Sequence, residues 1–169
     1  MAQPIRTHRR TSLVSVATFV VCRVGVGARV VELPAVEQSF RIRYERRSGA
    51  GAVTYRNSGA VVTLRGNTGD DAQCVAALRR WLASVARQEF LPRLQALSEL
   101  TDNPFQRMHV RCQKTCWGSH SSTGTISINV CLLFLDPTLL RYLMIHELCH
   151  ARHMNHSRRF WQRVGRFEP

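Results

Sequence analysis

The sequence is poor in acidic residues and contains a single lysine, Lys114. Its 24 basic residues outnumber its 11 acidic ones and give a formal net charge of +13, almost all of it carried by arginine. Because guanidinium groups bind phosphate and carboxylate through paired hydrogen bonds, such a surface permits association with nucleic acid. The arginines are scattered along the chain, so a solvated basic surface is the alternative interpretation.

Cysteine pairs of the kind that hold a structural metal are also missing. The six cysteines include no C-x-x-C pair, and Cys112 and Cys116, four residues apart, have no matching second pair. Cys131 and Cys149 lie in apolar runs and are expected to be small core residues. The lack of a disulfide-like framework favours a cytoplasmic protein with reduced thiols.

No apolar run is long enough to span a membrane, and we expect no membrane partner. The run that starts at Leu13 meets Arg23 too soon, because a transmembrane helix needs about 20 residues. Basic residues before this run and Ala28 after it imitate a secretory signal, which leaves export as a minor alternative. The other interpretations of this N-terminal stretch are an additional strand and an extension that is not native. We therefore divide the chain into an N-terminal extension, residues 1–35, and a single folded domain, residues 36–169.

What the sequence does contain is a metal-binding pattern, H-E-x-x-H, at His146, Glu147 and His150. Residues four apart on a helix lie on one face, one turn above the other, so both imidazoles can reach the same ion. In this pattern the histidines bind Zn²⁺ and the glutamate acts as the general base of a metalloprotease. His156 follows six residues after His150, where a turn lets it offer a third ligand. Three protein ligands plus a water are typical of a catalytic zinc.

The segment around the motif has the signals of a buried helix. Asp136 and Pro137 are an N-cap acid followed by proline at the first helical position. Leu140, Met144 and Leu148 form an apolar stripe on this helix. Titratable side chains within a buried helix are costly to desolvate unless a metal or hydrogen bonds satisfy them, which is the physical reason to expect a metal.

Two other residues are rivals of His156 as the third ligand. His153 lies three residues after His150 and reaches the same face if the helix continues. The turn-like sequence Asn155-His156-Ser157, which ends in an N-cap residue, favours His156 instead. Glu168 is a weaker rival because it lies at the end of the chain. A chance H-E-x-x-H on a metal-free helix is the remaining alternative.

Upstream of the motif, the apolar periodicity predicts strands first and then a helix. Alternating residues around 40–44, 53–55 and 61–64 predict three strands, separated by glycine-containing turns, that form an antiparallel meander. Asp70 and the acid after it cap a long helical pattern. Pro92 falls inside this pattern and is expected to kink or restart the helix.

The stretch that leads into the motif helix is also predicted to be extended. Residues 107–112 and 126–130 alternate between polar and apolar side chains and predict a fourth and a fifth strand. Residues 117–124 between them are polar and bounded by glycine, which predicts a loop. One of the two strands is expected to hold an extended peptide by strand addition, but the sequence leaves open which one.

The motif and its flanking residues closely resemble the YgjP-like metallopeptidase family, relatives of the SprT-like zinc proteases. The resemblance rests on His146–His150 together with Asn155–Trp161. Residues Arg111–Ser119 resemble the family's second signature, usually W-G-S-C-S, and Ile126–Leu132 resemble its third. The similarity covers residues 37–164 approximately.

The resemblance implies that His146, His150 and His156 are zinc ligands and that Glu147 is the catalytic base. His120 stands where the family usually has cysteine, so the resemblance implies no thiol role at this position. The implied fold class is α+β and zincin-like, with a small antiparallel sheet packed on two or three helices that include the H-E-x-x-H helix.

The function that follows is a zinc-dependent metallopeptidase acting on peptides or proteins, with an oligomeric state that the sequence leaves open. The alternatives are a SprT-like protease acting on DNA-associated proteins and a non-catalytic zinc-binding module. Asn129, Ser119 and His120 are candidates for orienting the ligands or stabilising an oxyanion, although each residue type more often makes a local hydrogen bond.

Overall fold

The computed structural model describes residues 27–47, 51–113 and 116–168. The signal-like run, the predicted extra strand within it and Lys114 lie outside the described residues. The elements are seven strands and three α-helices in this part of the chain: β1 (Val30–Leu33), β2 (Gln38–Arg46), β3 (Thr54–Ser58), β4 (Val61–Gly66), α1 (Asp71–Thr101), β5 (Arg107–Arg111), β6 (Gly118–His120), β7 (Thr125–Asn129), α2 (Pro137–Cys149) and α3 (Arg158–Val164). Short 3₁₀ turns at Pro34–Val36 and Val130–Phe134 follow β1 and β7.

The first sheet has the spatial order β1-β2-β4-β3. β4 lies between β2 and β3 and runs parallel to β2, so the predicted antiparallel meander is wrong. Burial explains the order, because Val62 and Leu64 of β4 are fully buried whereas four of the five residues of β3 are exposed. The apolar strand takes the centre of the sheet and the polar strand takes its edge.

The second sheet has the order β5-β7-β6, with β7 parallel to β5 and antiparallel to β6. The prediction of a loop over residues 117–124 is wrong for its first part, because Gly118–His120 forms the edge strand β6. A strand of three residues is too short to show an alternating pattern. It forms because β7, whose Ile126 and Ile128 are fully buried, offers an edge to which the backbone can pair.

The long helix α1 packs against the first sheet. Its N-cap is Asp70, as predicted, and the Asp70 carboxylate accepts a hydrogen bond from the backbone N–H of Gln73 at 3.1 Å. The predicted restart at Pro92 does not occur, and one helix of 31 residues runs through it. Trp81 lies in the core, with its ring edge-to-face against Phe40 at 5.1 Å.

These elements confirm the predicted α+β fold class, with three helices and two small mixed sheets. Cys131 and Cys149 are buried, as expected of core residues, and all five cysteines of the described part are free. Among the described helices, none combines the length and apolar character that crossing a bilayer requires. The predicted division between residues 35 and 36 stays a prediction, because residues 1–26 are not described.

Candidate metal centre

The motif residues lie on the helix that the sequence predicts. Asp136 caps α2, and its Oδ1 accepts a hydrogen bond from the backbone N–H of Thr138 at 2.8 Å, while Pro137 occupies the first turn. The helix ends at Cys149, one residue before His150. His146 and His150 therefore project from the last turn of α2 on the same side, with ring centroids 5.2 Å apart.

The structure brings the third histidine to the same place. One ring nitrogen from each of His146, His150 and His156 lies within 4.8 Å of the others, and we call these three residues the histidine cluster. His146 Nε2 and His156 Nε2 are 3.0 Å apart. Two ring nitrogens that face each other at this distance must share either a proton or a cation, because two lone pairs repel.

His156 reaches the cluster because the chain turns after α2 and begins α3. The side chain of Ser157 caps α3 by accepting a hydrogen bond from the backbone N–H of Phe160 at 3.4 Å. Phe160 is fully buried, and its ring stacks on that of His150 with centroids 4.6 Å apart. Trp161 stacks on His156 at 5.6 Å from the solvent side and is 48% exposed.

The rival ligands do not join the cluster. His153 contributes its backbone carbonyl, which accepts a hydrogen bond from His150 Nδ1 at 2.9 Å. Because a carbonyl can only accept, His150 carries its proton on Nδ1, which leaves Nε2 free to bind a metal. Glu168 forms an ion pair with Arg141 at 2.7 Å.

The imidazoles of the motif are held in their neutral form. Burial, and then the neighbouring His150 and His156, lower the pKa of His146 to about 4. Burial also lowers the pKa of His150, while its hydrogen bond to His153 acts in the opposite direction. Neutral nitrogen donors that converge in this way are the ligands that zinc and related divalent ions prefer, so the residues fit a bound metal.

Glu147 is only 5% exposed, on the helix turn between the two motif histidines. Burial raises the pKa of its carboxyl group to about 7. A carboxylate of this kind can accept and release a proton near neutral pH.

Of Asn129, Ser119 and His120, the candidates for orienting the ligands or stabilising an oxyanion, His120 contacts the motif. Its Nδ1 donates a hydrogen bond to the backbone carbonyl of Glu147 at 2.6 Å. The Asn129 amide instead donates to the backbone carbonyls of Gln113 and Cys116, between β5 and β6, at 2.9 Å each. Ser119 is exposed and pairs in the sheet with Ser127. No sequence pattern indicates β6, because its interaction with the motif helix depends on tertiary structure.

Comparison with known proteins gives one family. The family model described as a YgjP-like metallopeptidase domain matches residues 29–169. No curated protein matches the chain significantly. Among solved structures, the chain is similar to the metallopeptidase zymogen of Pyrococcus abyssi abylysin, with 26% identity, 46% of this chain and 78% of that chain covered, and a TM-score of 0.43.

Proposed function

Because this chain belongs to the YgjP-like metallopeptidase family, we propose that it hydrolyses peptide bonds at a zinc ion held by the histidine cluster. The observation that carries the proposal is the convergence of three ring nitrogens within 4.8 Å of one another. The buried carboxyl group of Glu147 lies on the same turn of helix. This combination of donors and a base is the one that metal-assisted hydrolysis needs.

His146, His150 and His156 would hold the ion through neutral ring nitrogens. When bound, zinc supplies a Lewis acid that lowers the pKa of water and polarises a carbonyl group. The cluster offers three protein ligands, and His156 is exposed, so one side of the site faces solvent. A site with three protein ligands keeps a position open for reactants, as catalytic zinc sites do.

Glu147 would be the general base of the reaction. Its carboxylate accepts a proton from the attacking water and then delivers that proton to the leaving amine. Its pKa of about 7 suits both tasks, because a group that titrates near the working pH takes and releases a proton with similar ease.

The test is to replace Glu147→Gln, which keeps the size of the side chain and removes its basicity. We expect the variant to bind zinc in the same amount as the wild type, and its cleavage of a mixed peptide library to fall by at least about a hundredfold. Elemental analysis and mass spectrometry of the peptides measure the two quantities. Glu32→Gln, at an exposed carboxylate of β1, is the matched control.

Two outcomes would contradict the proposal. Full peptidase activity in the Glu147→Gln variant would remove Glu147 from its role. Stoichiometric zinc in a wild-type protein that cleaves no peptide in the library would favour the non-catalytic zinc-binding module.

A second candidate is a protease that works on nucleic-acid-associated proteins, favoured by the charge of one groove. This groove, between α1 and the edge strand β5, has a volume of about 470 Å³. Its lining includes Arg87, Arg107 and His109, all exposed. Arg111 lies on the same exposed side of β5 and contacts His109. We call this surface the cationic groove, and its charge suits a phosphate backbone.

A further inference from the structure

Gly118, on the edge strand β6, lies directly against the carboxyl group of Glu147. A Cβ atom at this position would lie 2.6 Å from Oε1, 2.9 Å from Cδ and 2.9 Å from Cγ of Glu147. Favourable contacts between such atoms lie at about 3.5–4.0 Å. Any residue other than glycine would therefore have to displace the Glu147 side chain, and that side chain is buried.

His120, two residues further along β6, holds the backbone of the same residue. Its Nδ1 lies 2.6 Å from the carbonyl oxygen of Glu147. Because the carbonyl oxygen is only an acceptor, His120 must carry a proton on Nδ1 and donate it. The same carbonyl also accepts from the backbone N–H of His150 at 3.2 Å. A donor from outside the helix thus fixes the turn that carries the general base.

The register of the second sheet fixes β6 against α2. Gly118 pairs with Ile128 and His120 pairs with Ile126, and both isoleucines are fully buried. Alternate residues of a strand point to opposite faces. Gly118 and His120 therefore share the face that meets α2, whereas Ser119 points away and is exposed.

We propose that β6 is the positioning strand of the general base, with Gly118 leaving the space that the Glu147 carboxyl group occupies and His120 anchoring its carbonyl. Both are positioning residues, since they act through Glu147 and not on the substrate. The inference rests on the proposed role of Glu147 in hydrolysis. It adds that the edge strand determines where the base lies.

The contact is tested without any activity measurement, by urea unfolding of the metal-free protein. Gly118→Ala is measured in the wild-type background and in the Glu147→Ala background. We expect the substitution to lower the urea midpoint in the first background and to lower it clearly less in the second, because truncation of Glu147 makes room for the added methyl group. Gly51→Ala, at a glycine whose Cβ would meet nothing within 4 Å, is the matched control. Equal decreases in both backgrounds would overturn the steric part of the inference.

The positioning role is tested by kinetics on the zinc-loaded protein. We expect Gly118→Ala to lower kcat by about a hundredfold, with KM and zinc content unchanged, because a misplacement of about 1 Å is enough for such a loss. In the Glu147→Gln background the substitution should cause no further loss. A raised KM with unchanged kcat, or an additional loss without the carboxylate, would overturn the role.

His120 is tested by a conservative rescue. Asparagine can place an amide N–H near the position of Nδ1, so His120→Asn should keep most of kcat while His120→Ala loses about tenfold or more. Equal loss of kcat in both variants would show that the hydrogen bond from His120 to the Glu147 carbonyl does not position the base. If the zinc-loaded wild type cleaves no peptide, the proposed function fails, and the unfolding cycle alone decides whether β6 and Glu147 are in contact.

Discussion

At the scale of single residues, burial shifts the pKa values of titratable groups in the site. The pKa of His146 is lowered to about 4, and the pKa of Glu147 is raised to about 7. Both shifts have desolvation as their largest cause, and it acts in opposite directions because it disfavours the charged form of each group. Uncharged imidazoles are ready to bind a metal, and the carboxyl group is ready to exchange a proton.

The shift of Glu147 predicts how the stability of the metal-free protein depends on pH. The folded state keeps the proton up to about pH 7, whereas the unfolded chain releases it near the usual value of 4.5. The folded state therefore binds more protons in this window, and the stability contributed by the group is lost as the pH rises through it. Glu147→Gln removes this effect. The free energy of unfolding of the variant minus that of the wild type should therefore be larger at pH 8 than at pH 4, by up to about 3 kcal/mol.

Urea unfolding of the two proteins at pH 4, 6 and 8 measures this difference. His146 acts in the opposite sense, since its lowered pKa destabilises the fold as the pH falls from 6.5 toward 4, but it is present in both proteins. Glu32→Gln, at an exposed carboxylate, is the control. A difference between wild type and Glu147→Gln that does not change with pH would contradict the assigned burial effect.

The sequence predicted which side chains form the site, but not the hydrogen bonds that these side chains make to backbone carbonyls. The spacing of His146 and His150 places them on one helical face, and the turn after α2 accounts for His156. The role of His153 could not be predicted, because it uses a backbone carbonyl that any residue would supply. The same holds for the carbonyl of Glu147, whose partner His120 lies 27 residues away in sequence.

At the scale of elements, the third histidine depends on how α3 begins. His156 directly precedes Ser157, whose side chain caps α3. An N-cap serine contributes about 1 kcal/mol to a helix, and α3 has only seven residues. The position of His156 is thus coupled to the stability of a short helix.

Ser157→Ala should therefore weaken zinc binding about fivefold, which corresponds to the loss of one N-cap at about 1 kcal/mol. Ser157→Asp, which keeps a capping oxygen, should bind zinc as the wild type does. Competition with a chromophoric chelator measures both affinities. Equal zinc affinities of the alanine and aspartate variants would show that zinc binding does not depend on the N-cap of α3.

Elements with a strong local signal were predictable, and their arrangement was not. The cap at Asp136 and the apolar stripe correctly located α2, and alternation located β2, β5 and β7. The strand order of the first sheet depends on which strand is most deeply buried, a property of the assembled core. β6 exists only as a partner of β7, so its three residues carry no pattern of their own.

At the scale of the whole molecule, the net charge of +13 and the exposed arginines of the cationic groove predict nucleic-acid binding. The cationic groove should bind DNA with an affinity that falls as salt increases, because binding of phosphates releases counterions. The double substitution Arg107→Gln with Arg111→Gln should weaken binding and reduce the salt slope by about one for each phosphate that is no longer bound.

Fluorescence anisotropy of labelled single-stranded and duplex DNA at several salt concentrations measures this effect. Arg43→Gln with Arg56→Gln, at exposed arginines on β2 and β3 of the other sheet, is the control of equal charge change. An equal effect from this control variant would assign binding to overall charge. Binding that does not depend on salt would contradict the predicted phosphate recognition.

The measurement that tests the central claim most directly is the zinc content and affinity of the wild type beside His156→Ala and His153→Ala. We predict one zinc ion per chain for the wild type and for His153→Ala, because His153 contributes only its carbonyl. His156→Ala should lose at least about a hundredfold in affinity, since losing even a residue that merely orients a ligand costs ten- to a hundredfold. A wild type that binds no divalent metal, or a His156→Ala variant that binds it as tightly, would contradict the account.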